Sequence, residues 1–427
     1  MKVCVIGLGY IGLPTSAMFA KHGAEVVGVD INPEVVDKLN QGEIHIEEPG
    51  LGEVVKRVVN EGKLRASLTP EMADVFIISV PTPNHEDEYK SCDLSGVLMA
   101  VEKMLPHVKR GNILIVESTI APRSMDDYIR PLVEEAGFIV GKDIYLVHCP
   151  ERVLPGKIME EIVFNNRIVG GITPACARMG AKVYEMFVQG EIVETDAKTA
   201  EMSKLMENTF RDVNIALSNE LAKVCNRLEI NVLDVIEMAN KHPRVNLHQP
   251  GPGVGGHCLA VDPYFIVAKA PELTNIIRMS RDTNISMPFY VVEKVRKLLK
   301  GIEKPKVAVF GVTYKGNTDD MRESPALEIL DLLRHQRYTV TIHDPYIQSN
   351  FFNTLSAEEA VEEADLILIL ADHDEFKNMD YNRLAPKMRQ PFLFDTRNCI
   401  KENPESKMKI IHFGNLYKVL QENGVTV

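Results

Sequence analysis

Short, nearly continuous runs of Val, Ile and Leu recur through the first third of the chain, at residues 2–7, 25–30, 75–80, 113–118 and 144–149. Unbroken apolar runs of this length, as opposed to alternating ones, predict strands of a parallel sheet covered on both faces by helices. Segments such as 13–22 and 96–105 lie between them with helical spacing. Together they predict a doubly wound α/β domain. From about residue 196 the period changes. TAEMSKLMENTFRDVNIALSNELAKVCNRL keeps helical spacing, without Gly or Pro, over thirty residues. A second helical stretch at 231–240, the loop HPRVNLHQPGPGVGGHC and further helix up to about 300 complete an all-helical middle region. At 306 the α/β pattern returns. KVAVFG (306–311) repeats KVCVIG (2–7), YTVTIHDP (338–345) resembles EVVGVDINP (25–33), and ADLILILA (364–371) resembles ADVFIISV (73–80). The expected organisation is two α/β domains, 1–195 and 301–427, joined by a helical domain over 196–300, with GIEKPK (301–306) as a linker.

Composition narrows the class of protein. The 427 residues are 45% hydrophobic and 25% charged, which suits a soluble globular chain and excludes a disordered or disulfide-stapled one. The net charge of −12 gives no general attraction to nucleic acid or to an anionic membrane. A few local cations can still hold a small anionic ligand. Seven widely spaced cysteines, with no CxxC pair, predict neither a disulfide framework nor a metal site, and fit a reducing cytoplasm. MKVCVIGLGYIG runs directly into a strand and a turn, so no signal peptide is expected. The longest apolar runs, VFIISV and LILIL, have strand length and fall far short of a membrane span.

The first turn carries chemistry. GLGYIG places Gly7, Gly9 and Gly12 between a predicted strand and a predicted helix. The first glycine makes the tight turn, the second admits a pyrophosphate, and the third lets helix and strand pack closely. The helix N-terminus adds N–H groups and a partial positive charge. Asp30 ends the next strand, where a carboxylate accepts the ribose hydroxyls of NAD and repels the extra phosphate of NADP. NAD is therefore the expected cofactor. Thr82 and Thr119 end later strands, from which they reach toward a nicotinamide.

A second constellation lies in the middle region. Cys258 ends PGPGVGGHC, whose glycines permit close backbone approach and whose prolines limit wandering. A thiol presented there is a candidate nucleophile. Lys204, Asn208 and Arg211 fall at i, i+4 and i+7, on one helical face. A cation and an amide donor on that face would stabilise an alkoxide; by periodicity alone, a solvated polar stripe is the simpler reading. Glu151 in CPERVLPG and Asp262, four residues after Cys258, are each either a water-activating carboxylate or a surface charge. Cys4, Cys149 and Cys225 read as core fillers.

With these residues in view, the chain resembles the UDP-glucose/GDP-mannose dehydrogenase family over essentially its whole length. The motifs that carry the resemblance are GLGYIGLP, the DIN beginning at Asp30, VPTP, ESTI, CPERVLPG, EMSKLMENTFRDVNIA, GPGVGGHCLAVDP and FGVTYKGNTDDMRESPA. GEIHIEEPGL, RVLPG and HPRVNLHQPGPGVGGHC look most like the branch that oxidises UDP-N-acetyl-D-mannosamine. The resemblance implies two Rossmann-like domains around a helical one. It also implies a four-electron oxidation of a sugar C6 alcohol to a carboxylate with two NAD, through a thiohemiacetal and a thioester on Cys258. By motif position, Lys204 and Asn208 would hold the reacting oxygen, Glu151 and Asp262 would activate water, and Thr119 would place it. Tyr10, Ile11, Asp30, Thr82 and Thr119 would line the NAD site, with Arg322 reaching it. Arg152, Val153, Arg211, His242, Arg244, Gly255, Tyr314, Lys315 and Arg397 would contact the substrate. The second α/β domain has lost GxGxxG at its first turn, and the resemblance assigns it the UDP moiety. The family's basic residue shortly after the ribose-binding Asp is absent; Val35 stands in that stretch and Lys38 is the nearest cation.

The resemblance further implies a homodimer or larger homo-oligomer through the helical region, with Arg244 a candidate contributor across it. UDP-N-acetylglucosamine, UDP-glucose and GDP-mannose are alternative substrates. Two other classes compete: a non-catalytic sensor of NAD and a sugar nucleotide, and a plain two-electron dehydrogenase. Neither has a use for Lys204, Asn208 and Cys258 together.

Overall fold

The computed structural model describes residues 1–347, 352–401 and 405–425. By internal contact the chain forms two compact units, Met1–Glu207 with Tyr264–Leu273, and Asn208–Pro263 with Thr274–Val427.

The first unit is built on an eight-stranded sheet. Its strands are β1 (Lys2–Ile6), β2 (Glu25–Val29), β3 (Leu64–Ser67), β4 (Val75–Ile78), β5 (Ile113–Val116), β6 (Tyr145–His148), β7 (Arg167–Gly171) and β8 (Ile192–Asp196), in the order β3-β2-β1-β4-β5-β6-β7-β8. The five strands expected from the sequence form its contiguous centre, and VCVI, VFII and ILIV are buried throughout. Each fully buried Val, Ile or Leu contributes about 1.5–3 kcal/mol. The structure adds β3, β7 and β8, which the apolar pattern does not reveal. β3 and β8 are edge strands, and an edge strand need not be apolar on both faces. β8 reads IVETD and is largely open to solvent. β7 carries Arg167 and two glycines, and it pairs antiparallel with β6, the single reversal in the sheet.

The second unit holds a parallel five-stranded sheet of β9 (Lys306–Phe310), β10 (Thr339–His343), β11 (Leu366–Ile369), β12 (Phe392–Asp395) and β13 (Lys409–His412), ordered β10-β9-β11-β12-β13. One hydrophobic core joins its strands to Ala222, Val232, Met287, Val291 and Val295 of the helices, so helices and sheet share a single packed interior. GIEKPK lies inside this unit, between helix Met287–Leu298 and β9.

The two sheets share a local construction, as the sequence repeats suggest. Gly7 N–H donates to the carbonyl of Val29, and Gly311 N–H to that of His343. Leu8 N–H donates to the Asp30 carboxylate at 3.0 Å and Val312 N–H to Asp344 at 2.8 Å. In the second sheet the carboxylate is covered. Asp344 is 4% exposed, faces the His373 ring at 3.3 Å, and Tyr346 stacks on that ring. A dinucleotide ribose has no access to it, which fits the loss of GxGxxG there.

Helix Ala197–Arg227 is one continuous element of 31 residues whose first part belongs to the first unit and whose remainder belongs to the second. Among the described residues no helix is long and apolar enough to cross a membrane.

Candidate active site

The glycines of the first turn do what their spacing requires. A Cβ on Gly7, whose φ is +93°, would lie 2.5 Å from the Ser79 carbonyl oxygen, and one on Gly12 would lie 1.8 Å from that of Gly7. At Gly9 a Cβ meets nothing within 4 Å. The tight turn and the close helix packing thus use the outer glycines, and the middle one faces open space. Helix Gly12–Lys21 starts there with no acidic residue in its first turn, so its N-terminal dipole is uncompensated. Asp30 accepts from the N–H groups of Leu8 and Asn32 and keeps lone pairs for ribose hydroxyls. Thr82 Oγ1 donates to the Thr119 carbonyl at 2.6 Å, which ties the loops after β4 and β5 together. Ser118 reinforces the tie by donating to the carbonyl of Val80. These groups suit the adenosine, pyrophosphate and nicotinamide of NAD.

Cys258 lies in the second unit, half-buried, at the start of a turn. Its carbonyl accepts from Val261 N–H and, at 2.8 Å, from Asp262 N–H. Asp262 then opens helix Asp262–Lys269, one turn beyond the thiol in sequence, and is 3% exposed. Asn208 Nδ2 donates to Asp262 Oδ2 at 2.6 Å. The structure therefore brings Asn208 and Asp262 together beside the Cys258 turn. Asp262 is not a surface charge, and Asn208 is not part of a freely solvated stripe. Arg211 is exposed, while Lys204, on the same helix, is half-buried.

The glycine loop owes its shape to the strand-end loop after β9. A Cβ on Gly255 would fall 2.5 Å from the Glu323 carbonyl oxygen and 2.8 Å from Tyr314 Cβ; one on Gly256, at φ +83°, would strike the Tyr314 ring. Gly256 N–H donates to the carbonyl of Arg322 at 2.9 Å. Two motifs some sixty residues apart in sequence, GPGVGGHC and FGVTYKGNTDDMRESPA, thus meet through glycine-tight contacts. Arg322 is held by Asp320 in a two-point pair, which keeps the Asp320 carboxyl below its usual range despite its burial. Arg397 pairs with Asp372 at 3.1 Å and lies beside Gly251. Lys315 is half-buried and makes no ion pair among the described residues.

In the first unit, Glu151 is buried and bonded to Arg167 at 2.5 Å, so it too is not a surface charge. Its backbone neighbour Arg152 reaches Glu207 on the long helix at 2.6 Å and also donates to the carbonyl of Asn166. Val153 packs against the first unit's core. His242 and Arg244 are exposed in the loop after helix Val232–Asn240; the Arg244 N–H donates to His242 Nδ1 at 3.3 Å, and the Arg244 guanidinium makes no ion pair among the described residues.

Three residues beyond those expected from the sequence support the site. Glu48 is 5% exposed, and its two carboxylate oxygens accept from Gly156 N–H and Ile158 N–H, each at 2.8 Å. It fixes the loop that carries Arg152 and Val153; its signal was the motif GEIHIEEPGL. Glu117 and Arg167 form a buried cluster with Glu151. Glu117 lies in ESTI, but no motif marks Arg167. Cys149, beside this cluster, is pushed up to about 12 by burial, which removes it as a nucleophile. Among the described residues no group of three His, Cys, Asp or Glu side chains could hold a metal ion.

The fold and these sites correspond to a family. Residues 1–188 match the NAD-binding domain of the UDP-glucose/GDP-mannose dehydrogenase family, residues 198–286 its central domain, and residues 308–402 its UDP-binding domain. The chain belongs to this family and is an NAD-dependent oxidoreductase. Among its relatives, the UDP-N-acetyl-D-mannosamine dehydrogenase of Methanococcus maripaludis is 48% identical over 409 residues, 94% of each chain. The structure of the UDP-N-acetyl-mannosamine dehydrogenase of Staphylococcus aureus is 58% identical, with a TM-score of 0.92, over 98% of this chain and 100% of that one. An NDP-N-acetyl-D-galactosaminuronic acid dehydrogenase of Ralstonia nicotianae is 45% identical over 92% of this chain and 95% of its own.

Proposed function

We propose that this chain oxidises the C6 alcohol of UDP-N-acetyl-D-mannosamine to the carboxylate, giving UDP-N-acetyl-D-mannosaminuronate in a four-electron reaction that uses two NAD. The observation that carries this reading is the Cys258 turn, held by glycine-tight contacts and followed by the Asn208–Asp262 hydrogen bond. The sugar is taken from the relatives named above, which match along almost the whole chain. UDP-N-acetylglucosamine, UDP-glucose and GDP-mannose are the alternatives to test beside it.

When bound at the Gly7–Gly12 turn, NAD supplies the hydride acceptor for both oxidations. The protein supplies the rest. Lys204 takes up the alcohol proton and steadies the oxyanion with Asn208. The Cys258 thiol adds to the aldehyde carbon, forming a C–S bond and a thiohemiacetal that again has a C–H beside an oxygen. Its oxidation leaves a thioester. Glu151, with Asp262, deprotonates a water placed by Thr119, and that water expels the thiol. One alcohol and one water thus yield one carboxylate, two hydrides and three protons. Tyr314, Lys315 and Arg397 hold the nucleotide, with Lys315 a point charge for the pyrophosphate. Arg152, Val153, Arg211, His242, Arg244 and Gly255 serve the sugar end, and Arg322 serves the cofactor. In functional terms residues 1–195 bind NAD, 196–300 form the helical core and 301–427 bind UDP. A thiol that must stay reduced suits the cytoplasm.

The test is the amount of NADH formed per sugar nucleotide consumed across a panel of the four substrates. A ratio of two, highest in rate with UDP-N-acetyl-D-mannosamine, is expected; a ratio of one would sink the four-electron reading. Binding without NADH would favour a sensor.

The same reading includes a homodimer. Met206, Phe210, Leu217, Val224 and Leu228 are exposed along or just beyond one long helix, Phe210 at 64% and Leu228 at 62%. A run of large exposed apolar side chains on one element favours association with a second copy. Light scattering is expected to give twice the chain mass for the native protein and a monomer for Phe210→Glu combined with Leu217→Glu.

A further inference from the structure

We propose that Arg167 and Glu117 are positioning residues that set the orientation and basicity of Glu151, one guanidinium being shared between two buried carboxylates so that only Glu151 is left able to take a proton from water. This rests on the assignment of Glu151 to water activation made above.

The sheet topology delivers these groups to one place. Glu117 directly follows β5, and Glu151 lies three residues beyond β6, both at carboxyl ends of parallel strands. Arg167 is the first residue of β7. A parallel β7 would carry it to the opposite, amino-terminal end of the neighbouring strands. Instead β7 runs antiparallel to β6, with Val147 opposite Gly171 and His148 opposite Gly170. Continued by three residues, that register brings Arg167 level with Glu151. The single reversal in the sheet therefore supplies a cation at the catalytic end.

The two carboxylates are held unequally. Arg167 Nη2 donates to Glu151 Oε2 at 2.5 Å, and Nη1 lies 3.6 Å from Glu117 Oε1. Glu117 also accepts from Tyr184 Oη at 2.7 Å, Ser79 Oγ at 2.8 Å and Thr15 Oγ1 at 3.3 Å. Its acceptor sites are largely taken. Among the described residues Glu151 has, besides Arg167, only the Arg152 N–H, which donates to Oε1 at 2.8 Å. Oε1 keeps a lone pair. The other groups facing the cluster are the Cys149 thiol, 3.8 Å from Arg167 Nη1, and the Tyr184 ring, 4.3 Å from the guanidinium carbon. Burial pushes both of their pKa values up, so neither adds charge. The Arg152 guanidinium is turned to Glu207. Burial pushes the Glu117 carboxyl up as well, with Arg167 opposing the rise, so two carboxyl groups face one cation in a site with side chains at most 6% exposed. In such a place a charged Glu117 repels negative charge on Glu151 and the Arg167 guanidinium attracts it.

The two influences have opposite signs, which a purely structural role does not reproduce. The experiment compares native enzyme with Glu117→Gln, Arg167→Gln, Arg167→Lys and Glu151→Gln, following the pH dependence of kcat for acid formation and the KM for the UDP-sugar. Glu151→Gln is expected to lower kcat about 100-fold or more. Glu117→Gln is expected to move the acid limb of kcat to lower pH by about one unit, and Arg167→Gln to move it to higher pH by as much or more. Arg167→Lys restores the limb in part, and KM changes little throughout. If Arg167→Gln does not fold, Glu117→Gln alone decides the sign. An inactive Glu151→Gln together with an unmoved acid limb in Glu117→Gln overturns the proposal and leaves the function standing. Full activity in Glu151→Gln removes the role of Glu151 itself, and this proposal with it.

Discussion

Replacing Cys258 with serine is expected to lower the rate of carboxylate formation at least about 1,000-fold, equivalent to about 4 kcal/mol of barrier, while the melting temperature stays unchanged. The chemical reason is the capture step. A hydroxyl at neutral pH is a far weaker nucleophile than a thiol, and an aldehyde that is not captured has no route to the thioester. The structural reason is that glycine contacts shape the turn. Its shape comes from Gly255 and Gly256 against Tyr314 and Glu323, and from the Gly256 N–H bond to Arg322. Serine is smaller by little and disturbs none of these. The measurement is NADH absorbance and uronate formation beside a thermal melt. Native turnover in Cys258→Ser would eliminate the thioester route.

The largest effect on stability is expected at Arg281, one helix away. Arg281 Nη1 donates to Asp212 Oδ1 at 2.6 Å, and the two side chains are 4% and 0% exposed. Asn284 Nδ2 donates to the same oxygen at 2.8 Å and Asn219 Nδ2 to Asn284 Oδ1 at 2.9 Å; Gly251 N–H then donates to Asn219 Oδ1 at 2.8 Å. This buried chain of bonds fastens the glycine loop to helices Ala197–Arg227 and Asn275–Ile285. Burial already raises the Asp212 carboxyl, with Arg281 opposing the rise. Arg281→Met leaves that carboxylate buried without its cation, a loss of about 3–5 kcal/mol, or on the order of 10 °C in the melting of a unit this size. The sign of its pH dependence follows. Without Arg281 the folded-state pKa of Asp212 rises further above its unfolded value, so protonation favours the folded variant. The deficit relative to the native chain should therefore shrink as pH falls from 8 to 5. Asp212→Asn combined with Arg281→Met should recover part of it, because no uncompensated charge remains. Melting curves at the two pH values decide the matter; a deficit that does not change with pH would show that Asp212 is not the group left exposed to the cost.

Neither Arg281 nor Asp212 stands out in the sequence, although Arg211, the neighbour of Asp212, does. The two residues differ by about 100° of helical phase, and sequence alone does not say which phase faces the interior. The structure puts Arg211 in solvent and Asp212 in the core. The same limit hid β3, β7 and β8. Apolar runs identify strands buried on both faces, and LRAS, RIVGG and IVETD are not such runs. The helices fared better: 13–22, 96–105 and 231–240 are observed at Gly12–Lys21, Ser95–Met104 and Val232–Asn240, since their spacing and flanking turns are local signals.

What this sequence determines by itself is whatever a short stretch of chain specifies through its own geometry. The GLGYIG turn with Asp30, the buried strands and the glycine loop ending in Cys258 are all of that kind, because positive φ, apolar continuity and helical spacing act between near neighbours. Tertiary structure alone decided which distant groups share a site. Glu48 meets the loop at Gly156 across 108 residues, Asn208 meets Asp262 across 54, and Glu117 meets Tyr184 across 67. Hydrogen bonds and ion pairs are settled by distance and burial after folding, and neither is written in the spacing of residues along the chain. The antiparallel direction of β7, which sets Arg167 beside Glu151, is the plainest instance: reversing that strand moves a cation from one end of the neighbouring strands to the other.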